Sequence, residues 1–269
     1  MNTATPEPSA GGRILVVLDA SPRSFAALAT AGALAVELDA ELAGLFVEDI
    51  NLQRLIALPF AREFCLLSGA MRPLSQAEIE HTWLREATAL QRRLATAAEQ
   101  MQVRWSFRVA RGSMAAELVL QAQGFDLVVL GRQPGAGCIP VAPTVTRTRH
   151  AAPVLVRVEA AGQAGDALDL GIRLARRSGA ELVLLIPAAD EADYRAACAD
   201  VLVTLQTRAT AGRCTWLQGP TGAEGAQLAR MVRREGAGCL VLANRDRFLQ
   251  QGGLDRLLGE IACPVVLVP

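Results

Sequence analysis

Short, continuously apolar runs alternate along the chain with longer stretches in which apolar residues recur at helical spacing. The runs ILVVL and VLVRV are typical of strands that are buried on both faces of a sheet. Strand and helix patterns alternate with short connections, which favours parallel sheets covered by right-handed crossovers. The predicted strands are residues 14–18, 41–47, 103–109, 126–131, 154–158, 181–187, 214–218 and 239–244.

The first predicted helix has clear start signals. Ser21 is suited to the N-cap and Pro22 to the first helical position. Long helices are predicted at 76–100 and 192–209, and Thr221 with Glu224 forms a capping box before another. The first helix's apolar stripe is Phe25, Leu28, Ala31, Leu34, Ala35 and Leu38, and that of the 76–100 helix is Leu84, Ala87, Leu90, Leu94 and Ala97.

The two halves of the chain resemble each other. Residues 14–47 align without gaps to 154–187 at an offset of 140, and eleven of the 34 positions are identical. Later segments align at offsets of 107 and 113, so the first copy is about thirty residues longer. We therefore predict a loose tail at 1–12, one domain at 13–152 and a second at 153–269.

Residues 153–158 match both the start of the second copy and the strand expected to end the first. Loss of strand one would remove the centre of the second sheet, whereas loss of strand five removes only an edge of the first. We expect this segment to be strand one of the second copy, extending the first sheet if the geometry allows.

Composition excludes several classes of function. The 27 acidic residues balance 27 basic ones, all of them arginine, and no basic stripe suggests nucleic-acid binding. No apolar run approaches the roughly twenty residues of a membrane span, and the N-terminus lacks the apolar segment of a signal peptide. Six dispersed cysteines indicate reduced core thiols, so we expect a cytoplasmic protein.

Several short motifs follow one another along the chain: VLD-A-S before a helix, AEL before a strand ending in V-E-D, a Gly-Ser turn, FDLVVLGR, and RHAAPVLV. Their order resembles the universal stress protein family in a tandem two-domain form. It implies two copies of an open, parallel, doubly wound α/β sheet, the adenine nucleotide alpha hydrolase-like fold. It covers nearly the whole chain except the tail and 50–75.

The resemblance also implies a nucleotide site at the carboxyl ends of the strands. In the first copy it would include Asp19, Ala20, Val47 and Gly131, with ATP or AMP as the ligand. The family's phosphate loop is Gly-x2-Gly-x9-Gly-Ser/Thr, whose amides bind phosphate.

This loop departs from the pattern in the first copy. Pro134 replaces the second glycine, Gly135 is displaced by one position, and ten residues beyond it lies Val145 instead of glycine, followed by Thr146. Three prolines also remove amide donors. We expect a remnant site without a cofactor, and the alternative is that Gly131, Gly135 and Gly137 are simple turn residues.

The second copy departs further. Glu159 stands at the position of Asp19, and Asn244 stands at the position of Gly131. The glycines that follow, Gly252 and Gly253, do not have the spacing of the phosphate loop. We expect no nucleotide there, and Arg245, Arg247 and Arg256 are expected on a solvated face. His81 and His150 have no partner spaced for metal binding or nucleophilic catalysis, so no catalytic or metal-binding residue is predicted.

Residues 50–75 form an insertion that is unusually apolar for a surface loop. We expect the second domain, another subunit or a partner protein to cover it, the alternative being packing within its own domain. Together these observations predict a non-catalytic regulatory or interaction module of the stress response, with a protein partner or a homodimer. The alternatives are an ATP- or AMP-binding protein that uses the first domain and a binder of another small metabolite in the same cleft.

Overall fold

The computed structural model describes residues 12–19, 21–56, 58, 60, 62–64, 69, 71–73, 75–112, 124–131, 151–158, 165–218, 224–250 and 253–269. The strands are β1 (Arg13–Leu18), β2 (Glu41–Asp49), β3 (Arg62–Phe64), β4 (Met71–Pro73), β5 (Trp105–Gly112), β6 (Leu127–Leu130), β7 (Val154–Arg157), β8 (Leu182–Ala188), β9 (Arg213–Gln218), β10 (Cys239–Ala243) and β11 (Val265–Val268). The helices are α1 (Pro22–Leu38), α2 (Ile50–Ile56), α3 (Gln76–Met101), α4 (Gly165–Ser178), α5 (Glu191–Thr207), α6 (Glu224–Glu235), α7 (Arg247–Gln250) and α8 (Gly253–Glu260).

The chain divides into two compact units. Unit 1 consists of Met1–Ala20 and Ala31–Phe125, and unit 2 consists of Ser21–Thr30 and Asp126–Pro269. This division assigns β6 to unit 2, whereas the repeat predicts a boundary after residue 152. The boundary drawn from the repeat stays a prediction.

Unit 1 contains a parallel sheet with the strand order β5-β2-β1, on which α3 packs. Gly44 on β2 allows the close approach of this helix, because a Cβ atom there would lie 2.6 Å from Cδ2 of Leu94. The buried face of α3 is Trp83, Ala87, Leu90, Leu94 and Ala98. Leu84, which the sequence predicted in this face, is 64% exposed, so that part of the predicted stripe was wrong.

The described residues of unit 2 form six strands in the order β6-β11-β10-β7-β8-β9. Every pair among them is parallel except β6 with β11, where Leu130 lies opposite Val265 in an antiparallel register. Strands β7 and β11 are buried along their length and β10 is buried except at its last residue, Ala243, as the continuously apolar runs predicted. The open, mostly parallel α/β sheet is therefore confirmed, and the antiparallel pair was not predicted.

The offsets of the sequence repeat recur in the strand registers of the two units. Strands β1 and β2 of unit 1 pair in the same register as β7 and β8 of unit 2, which lie 140 residues later, and β5 corresponds to β9, which lies 107 residues later. Corresponding partners are Ile14↔Leu42 and Leu45↔Arg108 in unit 1, and Val154↔Leu182 and Leu185↔Thr215 in unit 2. The aligned residues thus make equivalent backbone pairings, and each unit can be compared with the other position by position.

The strand with two sequence matches, β7, pairs with β10 on one edge and β8 on the other. This is the central position expected of strand one in the second copy. Since both edges are occupied, β7 has none left with which to extend another sheet. The strand that pairs with β6 is β11 instead.

The apolar insertion forms α2 and a small antiparallel hairpin of β3 and β4, in which Phe64 lies opposite Met71. Its described apolar side chains are largely exposed, with Phe60 at 73%, Met71 at 61% and Phe64 at 58%. The side chains of several other apolar residues of the insertion lie outside the description: Leu52, Ile56, Leu66 and Leu67. The described part of the insertion is therefore not covered by its own unit.

Candidate functional site

In unit 1, the predicted site residues lie at the carboxyl ends of β1 and β2. Asp19 follows β1 directly, and Val47 lies near the end of β2, opposite Ala110 of β5. Both side chains are half-buried. Ala20, the third predicted residue, lies outside the described residues.

The carboxylate of Glu48, next to Val47, pairs with an arginine on the neighbouring strand β5. Glu48 lies opposite Arg111 in the β2–β5 register, and its Oε2 atom is 2.8 Å from both Nε and the Nη2 of that arginine. The arginine side chain is 54% exposed and that of Glu48 only 16%. Glu48 is therefore already occupied by a partner within the sheet.

Glu86 on α3 is a site residue that the sequence reasoning missed. Burial raises the pKa of its carboxyl group, and the nearby Asp19 carboxylate raises that pKa further. The two acids therefore belong to one electrostatic environment at the end of β1. Such an environment disfavours an added anion, because like charges repel.

The last predicted residue of the first-copy site, Gly131, belongs to unit 2 and is buried. Its carbonyl oxygen lies 3.5 Å from the Ser21 hydroxyl, which can donate to it. The Ser21 Oγ atom also accepts from the Ser24 amide at 3.3 Å, which confirms the predicted N-cap of α1. The predicted remnant of the phosphate loop, residues 132–150, lies outside the described residues.

The corresponding region of unit 2 contains a buried arginine. Arg157 is the final residue of β7, the central strand, and only 4% of it is exposed. A cation in a run of apolar residues at a sheet centre must have carboxylate partners, since isolated burial of a charge is very costly. The sequence signal for this site was the one charged residue in VLVRV, which the strand prediction treated as part of an apolar run.

Two acids from different elements supply those partners. Asp246, three residues beyond β10 and 1% exposed, forms an ion pair with Arg157. Glu224, the first residue of α6, lies with Oε2 3.2 Å from Nη2 of the same arginine. Glu224 was predicted as half of a capping box with Thr221, which lies outside the described residues.

Asp246 also holds the backbone that follows β10. Its Oδ1 atom accepts from the Phe248 amide at 2.9 Å, and its carbonyl oxygen accepts from the Leu249 amide at 2.9 Å. The carboxylate therefore caps the short helix α7 while its other oxygen faces Arg157. Asp246 therefore ties the segment after β10 to the end of β7.

We call Arg157, Asp246 and Glu224 the buried ion triad. It occupies the carboxyl edge of β7 and β10, where the strand order of a doubly wound sheet reverses and ligands ordinarily bind. Its charges satisfy one another within the fold, and the arginine has almost no exposed surface. The triad therefore fills this edge with internal ion pairs.

The remaining predicted positions of the second copy contribute little to this edge. Asn244 and Arg245 are exposed, and Arg256 pairs with Glu260 at 3.3 Å on the surface of α8. Glu159 and Gly252 lie outside the described residues, as does the side chain of Arg247.

Other chemistry is sparse in the described part of the chain. His81 is exposed on α3, and His150 lies outside the description. Among the described residues, no group of three or more His, Cys, Asp and Glu side chains could hold a metal ion. None of the described helices is both long and apolar enough to cross a membrane.

Comparison with known proteins identifies the architecture. A universal stress protein from Archaeoglobus fulgidus superimposes with a TM-score of 0.56 over 96% of this chain and 96% of its own, at 11% identity. The chain has the universal stress protein fold. A functionally unknown protein from Pseudomonas aeruginosa PAO1 is also similar, with a TM-score of 0.50, 15% identity and coverage of 96% of this chain and 92% of that one.

No protein-family model and no curated protein sequence matches the chain. At these identities the structural similarity establishes the fold and leaves the site to be judged from its own residues. The resemblance drawn from the order of the sequence motifs is thus confirmed for the architecture. Within the universal stress protein fold, the carboxyl edges carry a carboxylate pair in unit 1 and the buried ion triad in unit 2.

Proposed function

We propose that the protein is a non-catalytic regulatory or interaction module of the stress response, located in the cytoplasm, with degenerate nucleotide sites. The observation that carries the proposal is the buried ion triad at the carboxyl edge of β7 and β10. A triphosphate placed there would have to displace Asp246 from Arg157 and from the Phe248 amide. Binding of the triphosphate would therefore break the buried Arg157–Asp246 ion pair and the N-terminal cap of α7.

The charges of unit 1 support the same proposal. Asp19 and Glu86 add negative charge at the end of β1, and the neighbouring Arg111 is engaged by Glu48. A phosphate at this edge gains no compensating cation from these residues. We therefore expect no bound cofactor in either domain.

An interaction role is supported by the insertion. Phe60, Phe64 and Met71 are each more than half exposed, which is unusual for large apolar side chains on a protein that works alone. A protein partner or a second copy of the chain would remove them from water. Each apolar square ångström buried contributes roughly 25 cal/mol to the association.

The proposal is tested by asking what the purified protein carries and what it binds. Protein prepared without added nucleotide is denatured, and the released small molecules are identified by mass spectrometry. ATP and AMP are then titrated calorimetrically with and without Mg²⁺. We expect no released nucleotide and no binding tighter than roughly 100 μM, which corresponds to about −5.5 kcal/mol.

Bound ATP or AMP, or tighter binding, would replace this proposal with that of a nucleotide-binding protein that uses the first domain. In that case Asp19→Ala should weaken binding, whereas a substitution at the exposed Asn244 of the second copy should not. Release of a different small molecule would instead indicate a metabolite-binding protein.

A further inference from the structure

A stacked aromatic pair fixes the position of α5 against the edge strand β9 of unit 2. The rings of Tyr194 and Trp216 are stacked, with centroids 5.5 Å apart and an interplanar angle of 12°. The indole N–H of Trp216 donates to the carbonyl oxygen of Ala188 at 3.1 Å, so the tryptophan is anchored to the end of β8. The start of α5 therefore has a defined register against the strand.

That register brings two cysteines together. Cys198 follows Tyr194 by four residues, one helical turn or about 6 Å further along α5. Cys214 precedes Trp216 by two residues, on the same face of β9 and about 6.6 Å away along the strand. Because β8 and β9 are parallel neighbours, the helix that connects them runs antiparallel to both, and the cysteines must meet one step from the stacked rings.

The electrostatics agree with this spacing. Cys198 lies close enough to the Tyr194 hydroxyl and to the Cys214 thiol to contribute to the raised pKa of both groups, after burial. Both cysteines are free thiols and both are half-buried. The pair is thus accessible to small molecules but joins two elements of one unit.

The two thiols differ in their surroundings. Burial raises the pKa of Cys214 to about 12, and the neighbouring Cys198 adds to that shift. Cys214 therefore stays protonated at neutral pH, and a thiolate is the reactive form towards oxidants. Cys214 is therefore placed second in the reaction proposed next.

We propose that Cys198 and Cys214 form an oxidation site for small hydroperoxides, which closes a disulfide between α5 and β9. In the first step the Cys198 sulfur attacks the peroxide, the O–O bond breaks, and Cys198 becomes a sulfenic acid as one water (or alcohol) leaves. In the second step the Cys214 sulfur displaces the sulfenic hydroxyl, which leaves as water with the thiol proton. One hydroperoxide is reduced as two thiols are oxidised to one disulfide.

The geometry also indicates what the bridge would do. The residues of α5 that are buried are Val201 and Leu205, both in its second half, so the first half is held mainly by the aromatic pair and its neighbours. A disulfide there would close a loop of 17 residues and pin this half of the helix to the sheet edge. Oxidation should therefore stabilise unit 2 and lower the mobility of α5.

The test is a peptide map of the intact, folded chain. The protein is treated with graded hydrogen peroxide, its remaining thiols are alkylated, and it is digested with trypsin without reduction. Cleavage after arginine places the two cysteines in separate peptides, 196–208 and 214–230, each with a single cysteine. We expect these two peptides to be linked, and the link to disappear after treatment with dithiothreitol.

Three variants complete the test. Cys198→Ser and Cys214→Ser should each abolish the linked pair, whereas Cys263→Ser, at another half-buried thiol, should leave it unchanged. In the wild type the Tm should rise on oxidation by roughly 5–10 °C, as expected for a loop of this size. Circular dichroism confirms that each variant is folded.

The proposal is overturned if peroxide takes Cys198 to a sulfinic acid without a linked peptide, or if the link forms only in urea. A link that joins Cys198 to a different cysteine overturns it equally. Because the readout does not involve nucleotide, the result is independent of the function proposed above.

Discussion

The buried ion triad leads to a quantitative prediction for Asp246→Asn. Asparagine has almost the same shape as aspartate and can still accept from the Phe248 amide through its side-chain oxygen, so the cap of α7 is kept. What is lost is the negative charge beside Arg157, which is 4% exposed. The variant therefore isolates the ion pair from the packing.

The magnitude follows from the burial of both partners. Removing one member of a buried pair costs about 3–5 kcal/mol, because the other charge is left uncompensated. Glu224 remains 3.2 Å from Arg157, but its side chain is 33% exposed and solvent weakens the attraction. Because Glu224 still compensates part of the Arg157 charge, we expect a loss near the lower limit, about 3 kcal/mol, which is a large part of the 5–15 kcal/mol typical of a folded protein.

A matched control is available in the same unit. Glu191 and Arg195 form an ion pair at 2.6 Å, but their side chains are 64% and 75% exposed. Glu191→Gln removes the same charge from a solvent-exposed ion pair, and this should lower the free energy of unfolding by less than about 0.5 kcal/mol. The difference between the two variants measures the effect of burial on an ion pair.

The assay is urea denaturation followed by far-UV circular dichroism, with hydrogen exchange of the β7 and β10 amides as a local readout. Taking about 2–3 kcal/mol/M for the dependence on urea, Asp246→Asn should lower the midpoint by roughly 1–1.5 M. Combining it with Arg157→Met removes the buried cation that has lost its Asp246 partner, so the double variant should recover much of the lost stability. The reasoning is refuted if Asp246→Asn behaves like Glu191→Gln, or if the double variant is no more stable than the single one.

Three further predictions concern other parts of the chain. The raised pKa of Glu86 means that the folded state binds this proton more tightly than the unfolded state, so the contribution of Glu86 to stability falls as pH rises above about 4.5. Glu86→Gln should therefore raise the Tm at pH 7 and leave it unchanged at about pH 4, and a lower Tm at pH 7 would contradict this. Gly44→Ala places a Cβ atom 2.6 Å from Cδ2 of Leu94 and should lower the free energy of unfolding, measured in urea, by about 1–3 kcal/mol. Gly165→Ala, whose Cβ atom has nothing within 4 Å, should have little effect, and equal losses in the two variants would exclude the packing explanation. Burial raises the pKa of the Cys239 thiol to about 12. Alkylation of Cys239 at about pH 8 should therefore be slow in the folded protein and fast above the urea midpoint, and rapid alkylation of Cys239 in the native protein would contradict this.

Much of the fold was predictable because the sequence repeats its burial pattern. Apolar runs of four to six residues identified the central strands, since a strand covered on both faces has no polar side. Helical spacing gave the length of α3 but placed Leu84 in its buried face, where the structure has Trp83. Neighbouring positions differ by only 100° around a helix, so which of the two is covered depends on how the helix packs on the sheet.

Parts of the candidate site could not be predicted in the same way. Asp19 and Val47 follow strands and were found from their position along the chain, whereas Glu86 approaches from a helix about seventy residues away. The link between Arg157 and Asp246 joins residues 89 positions apart. Local patterns report periodicity and end signals, but the pairing of distant charges depends on how the strands are ordered in space.

The pairing of β6 with β11 has a consequence for biosynthesis. Leu130 and Val265 are adjacent in the sheet of unit 2 but 135 residues apart in the chain. At a translation rate of about 5–20 residues per second, one edge of β6 waits roughly 7–27 s for its partner to be made. During that time an apolar strand with unpaired amides and carbonyls is a target for other nascent chains and for chaperones. For this protein, synthesis of the last strand, β11, ends the exposure of that edge.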